Sequence, residues 1–326
     1  MKQKVSVGEL KPGMHVNLPH PWRAHPFLRN SFTIRAEKHI KKLIDHGIEY
    51  VIIDDQKGAP YIPVLEEMKE PEKESTPDLQ TLASENLLEV VDDKKMLPPM
   101  RARAIHQLTA DVMKGLLESP TGEKIARFKK TICNVIDLIL SDEVVSRHLI
   151  RITSHDYNTF IHSVNVGILG TALAKALLQK QDKHDMHALG AGFFLHDIGK
   201  INIDEAIINK QGKLTEEEMD MIREHPTGGF KLLNDTKQIT MESRLIVLEH
   251  HERDDGKGYP LKLRGEEIHI YGRICSVADV FDALASKRPY KSKLTPFYAL
   301  KLMKEEMLDH FHKDVFEKFV LMFRRD

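Results

Sequence analysis

The sequence predicts a mainly α-helical protein, with a small α/β domain ahead of a larger all-helical one. Three observations carry this. From Met100 onward apolar residues recur at helical spacing almost to the end, and strand signals are nearly absent. Before residue 66, short alternating apolar runs are separated by turn residues. Between the two lies a charged, proline-bearing stretch with the composition of a linker. The expected division is therefore 1–66, 67–99 and 100–326, and 326 residues are enough for two domains.

In the first segment, Val5–Val7, Met14–Leu18 and Phe32–Ile34 read as short strands, with Lys11-Pro12-Gly13 as a turn. Ala36–His46 carries Ile40, Leu43 and Ile44 at helical spacing, and Gly47 stands where a helix C-cap would. Tyr50–Ile53 follows as a β-branched strand. The lone Trp22, with Phe27, is expected to plug this small core. In the linker, Leu79–Val91 has the pattern of a helix that Pro98-Pro99 would stop.

In the large segment, Ile105, Leu108, Val112, Leu116 and Leu117 form one apolar stripe, and Ile125 to Ile139 a second, broken at Ser141-Asp142. Further helices are expected over Thr159–Leu178, Met186–Lys200, Ser243–His251, Arg273–Ser286 and Pro296–Met307. Thr215 and Glu218 form a capping box for one running to His225-Pro226.

A formal net charge of −1 gives no global attraction for nucleic acid or an anionic membrane, so an anionic substrate must be drawn by local charge. Two cysteines, Cys133 and Cys275, argue against a disulfide framework or a thiolate metal site and fit a reducing cytoplasm. The start, MKQKVSVGEL, lacks the apolar core of a signal peptide, and no apolar run is expected to span a membrane, which takes ~20 residues.

The chemistry concentrates around Phe193–Lys200, FFLHDIGK. Bulky apolar residues there run directly into His196, Asp197 and Lys200, and buried polar groups of this kind need partners or a metal. Residues that could share the burden are His162, His225, the pair His250-His251, and Asp279. Five imidazoles and two carboxylates without a thiolate suit Fe, Mn, Zn or similar ions better than Ca or Mg. Adjacent residues on a helix diverge by roughly 100°, so the pair His196-Asp197 suits a two-metal centre with a bridging carboxylate. Such a centre can clamp a phosphodiester and activate water. Taken singly, each histidine is more simply a hydrogen-bonded core residue; the joint pattern favours metal. Lys200, one turn beyond His196, would bind a phosphate oxygen. The Asp255–Pro260 loop, with Tyr259, lets backbone approach a ligand. Arg288 and Lys291 could add a cationic clamp.

Three of these stretches, HDIGK (His196–Lys200), HHERDDGKGYP (His250–Pro260) and VADVFDALASKRPYK (Val277–Lys291), resemble the defining motifs of HD-GYP domains. These are HD phosphohydrolases that hydrolyse the bacterial messenger cyclic di-GMP. The likeness covers about Thr153 to Phe319. VGELKPGMHV (Val7–Val16) and the Pro21-Trp22, Pro26-Phe27 pattern are similar to an uncharacterised domain found ahead of HD-GYP domains, for which a regulatory role is open.

The resemblance implies an all-helical HD-type fold and a bacterial signalling enzyme. His162, His196, Asp197, His225, His250, His251 and Asp279 fall on metal-ligand positions, with Asp197 as the bridge. Lys200 falls on the phosphate-contacting lysine, and Tyr259, Arg288 and Lys291 on substrate-contacting positions; Asp197 and Lys200 are the catalytic candidates. It implies two divalent ions, Fe or Mn first, with Zn, Ni or Co as alternatives, and attack by metal-bound hydroxide. Some members take a third ion through a Glu one turn before the first histidine. Asn158 stands there, which implies two ions and linear pGpG rather than GMP as main product. The chain also departs at Phe311–Phe319, where His312-Lys313 replaces the usual Asp-Pro before the last helix. A homodimer and protein partners in cyclic di-GMP signalling are compatible with this reading; a nucleic-acid polymer is not expected. The alternatives are a cyclic-dinucleotide sensor with little turnover and a hydrolase of a related cyclic dinucleotide.

Overall fold

The computed structural model describes residues 2–19, 27, 29–54, 56–59, 79–152, 158–178, 183–210, 212–286 and 294–324. The chain divides into two compact units, residues 1–76 and 77–326. In the first, β1 (Lys2–Ser6), β2 (His15–Asn17), β3 (Ser31–Thr33) and β4 (Tyr50–Asp54) form an antiparallel sheet in the order β1-β4-β2-β3. The helix α1 (Glu37–Asp45) precedes β4. The alternation works as the pattern implies: Val5, Val16, Val51 and Ile53 point into a core closed by Leu43. Gly47, just past α1, takes a left-handed φ of 69°, a conformation that costs glycine nothing. Phe27 packs on this core; Trp22 lies outside the described residues.

The second unit is all-helical. Its first element, α2 (Leu79–Asp92), is the helix expected inside the linker, and it belongs to the core of this unit; the charge run before it lies outside the described residues. Leu87 is fully buried, Ala83 and Val91 nearly so, and all three join the main core. The Arg101 guanidinium fastens the end of α2 by bonding the Val90 and Val91 carbonyls. Then come α3 (Pro98–Glu118), α4 (Gly122–Ser141) and α5 (Glu143–Arg151). Asp142, expected only as a breaker, is the N-cap of α5, accepting from the Val144 and Val145 amides.

The central element is α6 (Thr159–Leu178). It sends Val164, Ile168 and Ala172 into one core cluster and Val166, Leu169 and Leu173 into the other. A helix apolar all round must be buried all round. By length and composition α6 could cross a membrane, contrary to the expectation that no run would reach that limit, but 78% of its apolar window is buried inside this fold.

Against α6 packs α7 (Met186–Leu195), followed by α8 (Glu205–Ile208), α9 (Glu216–Arg223), α10 (His225–Asp235), α11 (Met241–Glu249), α12 (Ile270–Ala285), α13 (Pro296–Glu306) and α14 (Lys313–Leu321). Phe193 and Phe194 lie flat on Gly170 and Gly167, where a Cβ would stand 2.8 Å from Phe193 and 2.4 Å from Phe194. Those glycines set the spacing between α6 and α7, and with it the spacing of His162 and His196.

Two expected boundaries near the site move. The helix at the HD motif ends at Leu195, with His196 as its C-cap and a 3-10 turn over Ile198–Asn202; His196 Nδ1 bonds the Phe193 carbonyl there. The α9 helix stops before His225, because Pro226 has no N–H to extend its ladder, and His225 opens α10 instead. The α14 helix begins at Lys313 with His312 as N-cap and no side-chain capping bond.

Candidate metal centre

All the described histidine and aspartate candidates converge. His162 comes from the first turn of α6, and His196 and Asp197 from the end of α7. His225 opens α10, His250 and His251 follow α11, and Asp279 projects from the middle of α12. His251 is partly exposed and the other six are buried, Asp197 to 2% exposure. The donor atoms form two groups that could each hold a cation: Asp197, His225, His250 and His251, and His162, His196 and Asp279.

Asp197 faces both. Its Oδ1 lies 3.1 Å from His225 Nε2 and 3.6 Å from His250 Nε2. Its Oδ2 lies 3.4 Å from His196 Nε2 and 3.5 Å from His162 Nε2. On the far side, Asp279 Oδ1 is 3.0 Å from His162 Nε2 and its Oδ2 3.5 Å from His251 Nδ1.

The backbone fixes which ring nitrogens face inward. His196 Nδ1 bonds the Phe193 carbonyl at 2.9 Å, His225 Nδ1 that of Ile222 at 2.6 Å, and His250 Nδ1 that of Val247 at 3.0 Å. A carbonyl only accepts, so in the neutral imidazole each Nδ1 carries the proton and each Nε2 a lone pair. These Nε2 lone pairs point at one another and at carboxylate oxygens. His196 Nε2 and Asp197 Oδ1 are buried without a hydrogen-bond partner. Lone pairs gathered without protons in a buried space are what a cation relieves, so the residues present fit a metal.

The electrostatics agree. Burial lowers the basicity of His225, His250 and His251; carboxylates oppose this only in part. Burial would raise Asp197, but the Lys200 ammonium and the surrounding imidazoles outweigh it and hold the carboxyl well below its usual range. Asp279 is likewise held down against burial, by His162, His251 and His196. Lys200 Nζ donates to Asp197 Oδ2 at 2.5 Å.

Gly199 has a specific reason to be glycine. A Cβ there would stand 2.0 Å from the His225 carbonyl oxygen and 2.4 Å from the Gly229 nitrogen. The turn after Asp197 thus rests directly on the backbone of α10, which brings His225 up to Asp197.

A cavity of about 490 Å³ opens on the centre. His162, His251, Asp279, Lys200 and Tyr259 line its polar side, and Ile203, Ile207, Ile208, Leu214, Met219 and Ile222 its apolar wall. The Tyr259 ring lies 4.7 Å from that of His251 and tilted 31° to it; burial raises its hydroxyl pKa. The loop that carries Tyr259 is clamped by buried Glu252, whose carboxylate accepts from the amides of Leu261, Lys262 and Leu263 at 2.6, 3.0 and 2.9 Å. Arg288 and Lys291 lie outside the described residues.

Asn158 is placed as the N-cap of α6, its Oδ1 accepting from the Ile161 amide at 3.1 Å. The sequence reading missed Asp282, whose carboxylate bonds His162 Nδ1 at 2.7 Å. Its position three residues past Asp279, on the same helix face, was the available signal.

The HD domain model matches residues 139–315, and a domain of unknown function, DUF3391, matches residues 2–127. A cyclic di-GMP phosphodiesterase of Pseudomonas aeruginosa is 32% identical over 98% of this chain and 76% of its own. A 3'3'-cGAMP-specific phosphodiesterase of Vibrio cholerae is 45% identical over 31% of this chain and 20% of its own. Among solved structures, an HDGYP protein from Bdellovibrio bacteriovorus superposes with a TM-score of 0.61 over 98% of each chain at 19% identity, a likeness of fold. Matched over more than half its length by the HD domain model, and 32% identical to the Pseudomonas protein over 98% of its own length, the chain belongs to the HD domain family, with a DUF3391 region ahead of the HD domain.

Proposed function

We propose that this chain is a metal-dependent phosphodiesterase that hydrolyses cyclic di-GMP to linear pGpG, with two divalent ions, Fe or Mn first, at the His/Asp centre. The observation that carries this is Asp197, whose two oxygens face two different histidine pairs, as a bridging carboxylate would. The activity in the name of the Pseudomonas relative supports the substrate. Held between these donors, two ions would supply Lewis acidity to the phosphodiester and a nucleophilic water at neutral pH.

The protein's own groups do the rest. Lys200, at the cavity edge and 2.5 Å from Asp197, exchanges that contact for a phosphate oxygen when substrate enters. Tyr259, held by the Glu252 clamp, contacts the substrate from the opposite loop, with Arg288 and Lys291 as further cationic contacts. The apolar wall from Ile203 to Ile222 suits the flat face of a base. Water adds across one P–O bond of the ring, and a linear dinucleotide leaves. The Asn158 oxygen is committed to capping α6, which supports two ions and pGpG as main product. We place the enzyme in the bacterial cytoplasm.

Protein loaded anaerobically with Fe or Mn and incubated with cyclic di-GMP should release pGpG on chromatography. No product under any metal loading refutes the reading, and tight binding without product makes the chain a sensor. The Vibrio relative's name favours a second reading, turnover of 3'3'-cGAMP. The same assay decides it through the ratio of kcat/KM for the two dinucleotides.

A further inference from the structure

His162 turns one ring nitrogen to the metal centre and the other away from it. Nδ1 bonds Asp282 Oδ2 at 2.7 Å. Asp282 Oδ1 accepts from Asn165 Nδ2 at 2.8 Å and from Ser286 Oγ at 3.2 Å. Asn165 Oδ1 in turn lies 2.7 Å from His106 Nε2. His106, Asn165, His162 and Asp282 are all buried.

The direction of every bond follows from one fact: an ionised carboxylate has no proton to give. His162 Nδ1 must therefore be a donor. Asn165 must turn its NH₂ toward Asp282, which leaves its carbonyl for the N–H of His106. The relay joins α3 to α6 and α12. His106 belongs to the stretch matched by DUF3391, whereas the other three lie in the HD domain.

We propose that Asp282 is a positioning residue of the metal centre. With Asn165 and His106 behind it, Asp282 locks the His162 ring so that its Nε2 faces Asp197 and Asp279 as a ligand. The proposal rests on the two-ion reading and adds to it a specific support for the ion between His162, His196 and Asp279. Substituting Asp282→Asn keeps the shape and reverses the logic. The new NH₂ must face either the Asn165 NH₂ or the His162 Nδ1–H. Facing His162, it drives the ring to the other tautomer, with a proton on the nitrogen that should hold metal. Partners of this kind are worth roughly 10–100-fold in metal affinity.

The test is cobalt(II) titration of the full chain, followed by visible absorption and by elemental analysis after gel filtration. The wild-type chain should take two equivalents. Asp282→Asn should keep one at wild-type affinity and bind the other roughly 10–100-fold more weakly, with a far-ultraviolet spectrum like wild type. Asn165→Leu, which leaves the carboxylate but removes one bond to it, should weaken the same ion by a smaller factor; it serves as the test if Asp282→Asn fails to fold. Two equivalents in the wild type with neither variant altered overturns the role of Asp282 and leaves the two-ion reading standing. A wild-type chain that takes up no cobalt overturns both.

Discussion

His225 Nε2 lies 3.2 Å from His250 Nε2, and the Nδ1 of each ring is spent on a backbone carbonyl. Two neutral imidazoles so arranged point lone pair at lone pair, a contact that only a proton or a cation makes favourable. Burial disfavours the proton at both. Metal should therefore stabilise the fold as well as enable turnover. At a free metal concentration ~100-fold above Kd, a ligand of the native state contributes about 2.7 kcal/mol. For a unit of this size that raises the midpoint by roughly 5–10 °C, at ~2–4 °C per kcal/mol. Calorimetry before and after chelation, with readdition of Mn, checks it; an unchanged midpoint contradicts it.

The same burial fixes the pH response of the metal-free protein. His225, His250 and His251 have folded pKa values below the ordinary 6.5. The unfolded chain therefore binds protons that the folded chain refuses. Stability is full above the unfolded value and falls as pH drops through 6.5 toward the depressed folded values. The slope is at most about 1.4 kcal/mol per pH unit for each imidazole. Asp197 and Asp279, also depressed, act in the same direction at lower pH. Urea titrations from about pH 8 down to about pH 5 should show this loss, and bound metal should extend it to lower pH without moving its onset.

Gly199→Ala tests how the turn after Asp197 meets α10. The added Cβ would collide with two backbone atoms, the His225 oxygen and the Gly229 nitrogen. Neither can rotate away, so the turn or the helix must shift. Overpacking of this kind costs ~1–3 kcal/mol, and here it would also separate His225 from Asp197. We expect a lower melting midpoint together with weaker metal binding, read by calorimetry and metal titration on one sample.

Much of this centre was legible in the sequence, because its histidines and aspartates are chemically conspicuous and most sit at or near helix ends marked by their own patterns. The alternation around Val5, Val16 and Val51 likewise announced the sheet. What was not legible depends on contacts between distant elements. The helix over Leu79–Val91 was legible, but the charge and prolines before it hid the full burial of its Leu87, since burial is decided by α3 packing on it. Asp282 looked like any helix-face carboxylate until α6 brought His162 to it. Glu252 was equally silent, because its three partners are backbone amides that no side-chain pattern reveals.

Lys200→Ala should have opposite consequences in the two states of the enzyme. In the metal-free protein, Lys200 is the nearest cation to a fully buried Asp197. Its loss should destabilise that form by ~1.5–3 kcal/mol, the range for hydrogen bonds to charged groups. With metal bound, the carboxylate has another partner and the stability difference should shrink. Turnover should nonetheless fall by on the order of 10²-fold, the usual loss when one preorganised donor is removed from a developing negative charge. Denaturant midpoints with and without Mn, alongside kcat, separate the two effects.

Glu252→Gln tests whether the Tyr259 loop is held from within. The carboxylate takes the Leu261 and Lys262 amides on one oxygen and the Leu263 amide on the other. An amide side chain offers one oxygen in place of two, so at least one buried N–H is left facing an NH₂. That mismatch costs ~1–3 kcal/mol. It falls on the segment directly after Tyr259, away from the seven histidines and aspartates of the candidate centre. The expected pattern is a several-fold rise in KM with metal stoichiometry unchanged and kcat reduced less than KM is raised. If metal is lost along with substrate affinity, Glu252 supports the His250-His251 end of α11 rather than the loop. Metal analysis of the purified variant, set beside its steady-state kinetics, decides between them.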